Sequence, residues 1–151
     1  MDAITKKVQP KNYTIAVGRR REAVARVRLY NSASAQVFGQ DRKRGDIVVN
    51  EKLVAEYFRT PAFESKYKRI LEATGTSGKF IISARLVGGG LSGQMDALIH
   101  GIARALDILD SEKYHKTLSD AGYLTRDPRT RERRKVGNAG KARRKKSSPK
   151  R

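Results

Sequence analysis

Alternating apolar and polar residues predict two strands that each have one buried face. In the segment 23–30, the residues at odd positions are apolar and would face a core, whereas Arg26 and Arg28 would point to the other side. In the segment 80–87, the clearest strand of the chain, Arg85 takes a position that faces away from the core. The pattern therefore predicts a sheet with one apolar face and one face that carries arginines.

Shorter apolar runs and turn signals predict the rest of the N-terminal half. The expected elements are a strand over 13–17 that is ended by Gly18, a turn over 31–35, a short edge piece over 36–38, a charged hairpin tip from Gly39 to Gly45 and a strand over 46–50.

Apolar residues at helical spacing predict four helices. The first is short and lies near 53–58, and the second begins with Thr60 as N-cap and Pro61 at the first helical position. A long helix covers about 92–109, and a last one covers about 112–121 and ends at Gly122. The order β-β-β-α-α-β-α-α favours an α+β fold in which helices cover one face of a sheet.

The last 28 residues, 124–151, carry 13 Lys or Arg against two acids, a local net charge of +11 out of the chain's +19. The segment has few apolar residues, so burial could not offset its ordering entropy and its self-repulsion. We therefore expect an extended basic tail that lies against a polyanion. A merely solvated tail would not need so large an excess of one sign, and the excess indicates nucleic acid.

The remainder, 1–123, has 21 basic and 13 acidic residues and suits a single domain. We expect a polar arm at 1–12, a globular RNA-binding domain at 13–123 and the basic tail at 124–151. The absence of Cys excludes disulfides, thiolate zinc sites and a cysteine nucleophile. The sequence contains neither a run of roughly 20 apolar residues nor a secretion signal, so we expect a cytoplasmic protein.

Gly88, Gly90 and Gly93 have the spacing of the dinucleotide-binding fingerprint. That fingerprint needs a second parallel strand after the helix, with an acid at its end, and no strand is predicted there. The phosphate-loop signature also fails, because Gln94 stands where Gly-Lys-Ser/Thr is needed. Two interpretations stay open, which are an RNA phosphate at the start of the helix and a tight strand-to-helix turn without a ligand.

His100 and Arg104 lie one turn apart on the long helix, on the side away from its apolar stripe. A lone histidine there is more typical of a solvent-facing or RNA-facing residue than of catalysis, and no paired carboxylates, metal spacing or partnered nucleophile is evident. Gly101 would permit close approach of another backbone or of RNA, and simple helix packing explains it equally well. The arginines of the sheet, with the triplet at 19–21, favour RNA backbone contact over a solvated face.

Six motifs follow one another along the chain, at 17–27 (VGRRREAVARV), 88–94 (GGGLSGQ), 100–106 (HGIARAL), 124–129 (LTRDPR), 132–137 (ERRKVG) and 141–144 (KARR). Together they closely resemble the family of the ninth protein of the small ribosomal subunit (S-nine), over about 13–151. The resemblance implies an α/β two-layer sandwich with an about four-stranded mixed sheet and a left-handed βαβ crossover. It implies neither enzymatic activity nor a cofactor.

The resemblance also implies the partners, which are 16S ribosomal RNA, neighbouring proteins of the subunit head and transfer RNA in the peptidyl site. The tail would reach that transfer RNA with Lys150 and Arg151. The residues expected to contact ribosomal RNA are Arg19, Arg20, Arg21, Arg26, Arg28, Gly88, Gly89, Gly90, Ser92, Gly93, Gln94, His100, Arg104, Arg126, Arg129, Arg133, Arg134, Lys135, Lys141, Arg143 and Arg144.

Two other classes of function compete with this interpretation. The glycine loop at 88–93 would serve a nucleotide-dependent enzyme, and the lysine-rich end alone would suit a nonspecific DNA-compacting protein. The missing second strand and missing catalytic groups count against the enzyme, and the arginine-rich motifs within the domain count against the DNA-compacting protein.

Overall fold

A computed structural model describes residues 13–144 of the chain. Its elements, in chain order, are β1 (Tyr13–Arg20), β2 (Ala23–Tyr30), β3 (Ser34–Val37), β4 (Gln40–Lys43), β5 (Ile47–Val49), β6 (Lys52–Leu53), α1 (Val54–Tyr57), α2 (Pro61–Ala73), β7 (Ile81–Val87), α3 (Leu91–Leu109) and α4 (Ser111–Asp120). The predicted arm at 1–12 lies outside the described residues.

The central sheet has five strands in the order β1-β2-β7-β5-β6. β5 and β7 are parallel, whereas the other neighbours are antiparallel. The two-residue strand β6 is what makes the sheet larger than the expected four or so strands. The α+β class is confirmed. α1 and α2 connect the parallel strands β5 and β7, and the left-handed sense of that crossover stays a prediction.

The main core lies between the sheet and the helices, as the alternating pattern predicted. The odd positions of β2 are fully buried. Of the predicted apolar stripe on α3, Ile99 and Leu109 are half-buried, and the fully buried members are Met95, Leu98, Ile102 and Leu106. Pro61 stands at the first position of α2 as expected, but the Thr60 side chain makes no capping hydrogen bond. Gly122, with φ +72°, follows the end of α4.

β1 and α3 are in direct backbone contact through two glycines. A Cβ at Gly18 would lie 1.9 Å from the carbonyl oxygen of Ala97, and a Cβ at Gly101 would lie 2.6 Å from Val27 Cγ2. The prediction that Gly18 ends the first strand is therefore wrong, since β1 continues to Arg20. A glycine inside a strand can mark such a close approach, and the side chain of Val27 with the backbone of Gly18 explains the need for glycine at position 101.

The opposite face of the sheet is partly covered by the hairpin of β3 and β4. Val37 packs there with Tyr30, Val48 and Ile81 in a second, smaller cluster. The prediction that 39–45 is a hairpin tip is wrong, because the turn is Phe38-Gly39 and 40–43 form a strand. The sequence pattern did not indicate this strand because all four of its residues are polar.

Candidate nucleic-acid interface

Arg20, the last residue of β1, joins the start of the tail to the domain. Its Nη2 lies 2.9 Å from the Asp127 carboxylate, and its Nη1 donates to the carbonyl of Arg129 at 3.2 Å. Its Nε also lies 3.7 Å from the carboxylate of Asp96 on α3, and only 14% of the side chain is exposed. We call Arg20, Asp96, Asp127 and Arg129 the tail anchor.

Within the tail anchor, Asp127 is held by hydrogen bonds from Arg129. The carboxylate accepts from Nη2 at 2.7 Å and from the backbone N–H of Arg129 at 2.9 Å. These bonds, with a smaller contribution from the charge of Arg20, hold the pKa of Asp127 well below its ordinary value. Tyr123 and Leu124 pack against the main core. Residues on both sides of the boundary expected at 123 thus contact the domain, and the division of the chain at that point stays a prediction.

Farther along, the tail turns back on itself. The backbone N–H of Lys135 donates to the carbonyl of Lys141 at 3.2 Å. Glu132 pairs with Arg143 across this turn, and hydrogen bonds from Arg143 lower the pKa of Glu132. Gly137 and Gly140 supply positive φ angles within the turn.

The two carboxylates of residues 124–144 are thus both paired with arginines. Seven tail cations within those residues form no ion pair there. They are Arg126, Arg131, Arg133, Arg134, Lys135, Lys141 and Arg144, and all seven are exposed. Lys150 and Arg151 lie outside the described residues.

The side chains of His100 and Arg104 contact β1 instead of projecting freely. Arg104 Nη1 donates to the carbonyl of Val17 at 2.6 Å, and the backbone N–H of Arg19 donates to His100 Nδ1 at 3.4 Å. Burial lowers the pKa of His100, and the charges of Arg104 and Arg126 lower it further. A neutral imidazole is therefore favoured, and RNA contact by these two residues stays a prediction.

The glycine loop after β7 packs against the turn between β1 and β2. A Cβ at Gly88 would lie 2.4 Å from the carbonyl oxygen of Glu22, and one at Gly89 would lie 3.0 Å from the Cβ of Ala23. The side-chain amide of Gln94 donates to the carbonyl of Gly88 at 3.0 Å. Packing thus explains two of the glycines without a ligand.

Gly90 and the residues after it differ from the first two glycines. Around Gly90 there is open space, and its φ of −109° suits any residue. Ser92 is exposed and Gly93 is half-buried. In the described part of the chain α3 is followed by α4, so the second strand of a dinucleotide fold is missing there.

The remaining predicted arginines fall on two separate surfaces. Arg19 lies near the end of β1 and lines a cavity of about 440 Å³ beside the tail anchor, and Arg21 directly follows the strand. Arg26 and Arg28 lie on the face of the sheet opposite the helices.

Two basic residues near these surfaces were not predicted to contact RNA, and a third, Arg85, was expected to do so only as one of the arginines on the outer face of the sheet. Lys66 and Arg69 of α2 line the cavity beside the tail anchor. Arg85 faces Arg26 across the β2–β7 pair. Alternation did place Arg85 on the outer face, but only the strand register shows that it meets Arg26.

Two further observations concern membrane spans and metal sites. Among the helices within 13–144, none combines the length and the apolarity that a membrane span requires. The same 132-residue portion contains no cluster of three or more His, Cys, Asp or Glu side chains placed to hold a metal ion.

Comparison with known proteins identifies similar sequences. A family model described as "Ribosomal protein S9/S16" matches residues 18–151. The protein named small ribosomal subunit protein uS9 from Solidesulfovibrio magneticus is 41% identical over 123 residues, which cover 82% of this chain and 85% of that protein. The protein of the same name from Maridesulfovibrio salexigens is 41% identical over 130 residues, which cover 86% of this chain and 91% of that protein.

Proposed function

Because the chain belongs to the S9/S16 family of ribosomal proteins, we propose that it is a structural constituent of the small ribosomal subunit head and binds 16S ribosomal RNA. Membership of this family agrees with the expectation that the chain is not an enzyme. The ribosome would be its site of action, in the cytoplasm, with other proteins of the head as neighbours.

The charge balance of the tail is the observation that carries this proposal. Asp127 and Glu132 form ion pairs with arginines. Seven exposed cations of residues 124–144 therefore have no carboxylate partner among the described residues. Such a segment is stabilised when it neutralises phosphates and releases their counterions. RNA supplies phosphates at the required density.

The tail anchor sets where the tail begins its path along RNA. Arg20 and Arg129 are engaged with Asp127, so their proposed contribution to RNA binding is to hold the tail in place, with free edges of the guanidinium of Arg129 left for phosphate. Arg19 and Arg21 extend the same basic surface. At the glycine loop, Gly90 has the open space that close approach of an RNA backbone needs.

The finer proposal concerns transfer RNA in the peptidyl site. After Arg129 the chain has 22 more residues, which could span at most roughly 73–79 Å if fully extended. The turn at 135–141 shortens that reach. Lys150 and Arg151 would contact the anticodon stem, as the family resemblance implies, and removing both should weaken transfer-RNA retention modestly while leaving assembly intact.

Salt-dependent binding to a 16S ribosomal RNA transcript tests the main proposal. A chain truncated after Arg129 keeps the tail anchor and loses 11 of the 13 tail cations. Each lost phosphate contact should reduce the log–log salt slope by about 0.9 if the contact is to a duplex, the value for B-form DNA, and by about 0.7 if it is to a single strand. A slope equal to that of the full chain would show that the tail does not contact phosphate.

A further inference from the structure

A recess lies between the β3–β4 hairpin and the outer face of the sheet. Its volume is about 290 Å³, and its lining consists of Arg26, Arg28, Phe38, Ser83 and Arg85. We call it the arginine recess. The helices pack on the other face of the sheet, so none of the residues of the tail anchor lines it.

Like charges meet in the arginine recess without compensation. Arg26 and Arg85 are directly opposite each other in the register of β2 and β7, an arrangement that destabilises a sheet. Neither these residues nor Arg28 forms an ion pair within 13–144, although five other Lys and Arg side chains there do. The guanidinium of Arg28 lies 5.3 Å from the centre of the Tyr13 ring instead. An anion would relieve this repulsion.

Phe38 occupies an unusual position beside the three arginines. It forms the hairpin turn with Gly39, and both residues have positive φ angles, +51° and +75°. A turn of this kind favours Asn or Gly at the position of Phe38, whereas a bulky aromatic residue is strained there. The side chain is nevertheless 40% exposed. Backbone strain of this kind is found preferentially at functional sites, and here it holds an aromatic ring that is still partly open to solvent.

We propose that the arginine recess binds one unpaired nucleotide of RNA, with its phosphate on Arg26, Arg28 and Arg85 and its base stacked on Phe38. This inference rests on the proposed RNA-binding function and specifies the kind of RNA. Duplex RNA could use the arginines, but its paired bases could not reach the ring. Unpaired bases, in contrast, stack readily on aromatic side chains.

The test uses the full chain and a single-stranded RNA 12-mer of mixed sequence, with the corresponding 12-base-pair duplex and adenosine monophosphate as comparison probes. R26Q/R85Q should bind the single strand about tenfold more weakly and should lower the salt slope by about 0.7–1.4, the value for one or two phosphates. The control R59Q/K116Q removes the same charge from exposed residues on the helical side. It should lose much less affinity.

A second variant, Phe38→Asn, separates stacking from charge and from misfolding. Asn suits the turn, so the free protein should melt at a higher temperature than wild type. Its affinity for the single strand should fall at least fivefold, the low end of the effect of losing one stacked base, while duplex binding stays unchanged. Greater stability together with weaker binding is a result that a merely structural role would not produce.

The outcomes distinguish this inference from the proposed function. The arginine recess is not a nucleotide site if R26Q/R85Q and R59Q/K116Q lose affinity equally, or if Phe38→Asn binds the single strand as tightly as wild type. Neither result would exclude binding to 16S ribosomal RNA elsewhere on the protein. Saturable micromolar binding of adenosine monophosphate would assign the recess to a free nucleotide instead. The proposed function itself fails if wild type binds duplex DNA as tightly as it binds both 16S ribosomal RNA and the single strand.

Discussion

Arg20 and Arg85 both lie on the central sheet, but their surroundings are opposite. Arg20 is largely buried and contacts the carboxylates of Asp96 and Asp127. Arg85 is exposed, faces Arg26 and has no carboxylate partner among residues 13–144. The first arrangement joins the tail to the domain through carboxylates of the chain itself, whereas the second leaves two like charges facing each other, which an external anion would compensate. Two arginines that cannot be told apart by residue type are thus distinguished by whether a carboxylate of the chain pairs with the guanidinium group.

The largest expected effect comes from the close contact between β1 and α3 at Gly18. Gly18→Ser would force a Cβ to 1.9 Å from the Ala97 carbonyl oxygen, and backbone on both sides would have to shift. We expect a loss of about 3 kcal/mol or more in the free energy of unfolding, measured by urea denaturation.

The matched control for that change is Gly90→Ser, where the added side chain meets open space and an ordinary backbone conformation. It should change the free energy of unfolding by less than about 0.5 kcal/mol, because serine is also accepted at a helix N-cap. Equal effects of the two substitutions would show that β1 and α3 are not packed as closely as described.

The next largest effect should separate the tail from the domain. Arg20→Met removes the ion pair with Asp127 and the hydrogen bond to the carbonyl of Arg129. We expect a cost of about 1–2 kcal/mol in the free energy of unfolding, because Arg20 is mostly but not completely buried. Amide exchange should become faster at 124–129 and stay unchanged in β7.

Arg21→Met is the control for this change, since Arg21 is exposed and forms no ion pair within the described residues. It should leave exchange in the tail as it is in wild type. If Arg20→Met leaves exchange at 124–129 unaffected, the start of the tail is held by the packing of Tyr123 and Leu124 alone, and the contrast between Arg20 and Arg85 is lost.

Most of the fold could be predicted because its elements bury one apolar face. The odd positions of β2 and the stripe on α3 both follow the period of their element, and all of them are buried except Ile99 and Leu109, which are half-buried. The parts that were missed lack such a signal. β4 is polar at every position, and the glycine that was expected to end β1 lies inside the strand because α3 approaches it there.

The candidate interface was predictable in composition but not in pairing. Clusters of Arg and Lys in the sequence predicted an RNA-binding surface, and most of these residues do lie at the surface of the protein. Which arginine meets a carboxylate depends on contacts between residues far apart in sequence, such as Arg20 and Asp127, 107 positions apart. The meeting of Arg26 with Arg85 likewise depends on strand register.

The smallest expected effect concerns the protonation of Asp127. Hydrogen bonds from Arg129 are the main cause of its lowered pKa, and the charge of Arg20 is a minor one. Because the folded-state pKa lies below the ordinary value of about 3.9, the pairing contributes stability above about pH 4 and loses it as pH falls through the folded-state pKa. Exposure of the pair to solvent keeps that contribution small.

Carboxyl carbon chemical shifts measured by NMR during an acid titration would follow this pKa directly. Arg129→Met should raise the pKa of Asp127 more than Arg20→Met does, and neither should change that of Glu132, whose pKa is lowered chiefly by Arg143. If Arg20→Met gave the larger rise, the charge of the domain would govern Asp127 more strongly than its neighbour in the tail does. Within the tail anchor, Asp127 would then be held mainly by Arg20 of the domain and less by Arg129 of the tail.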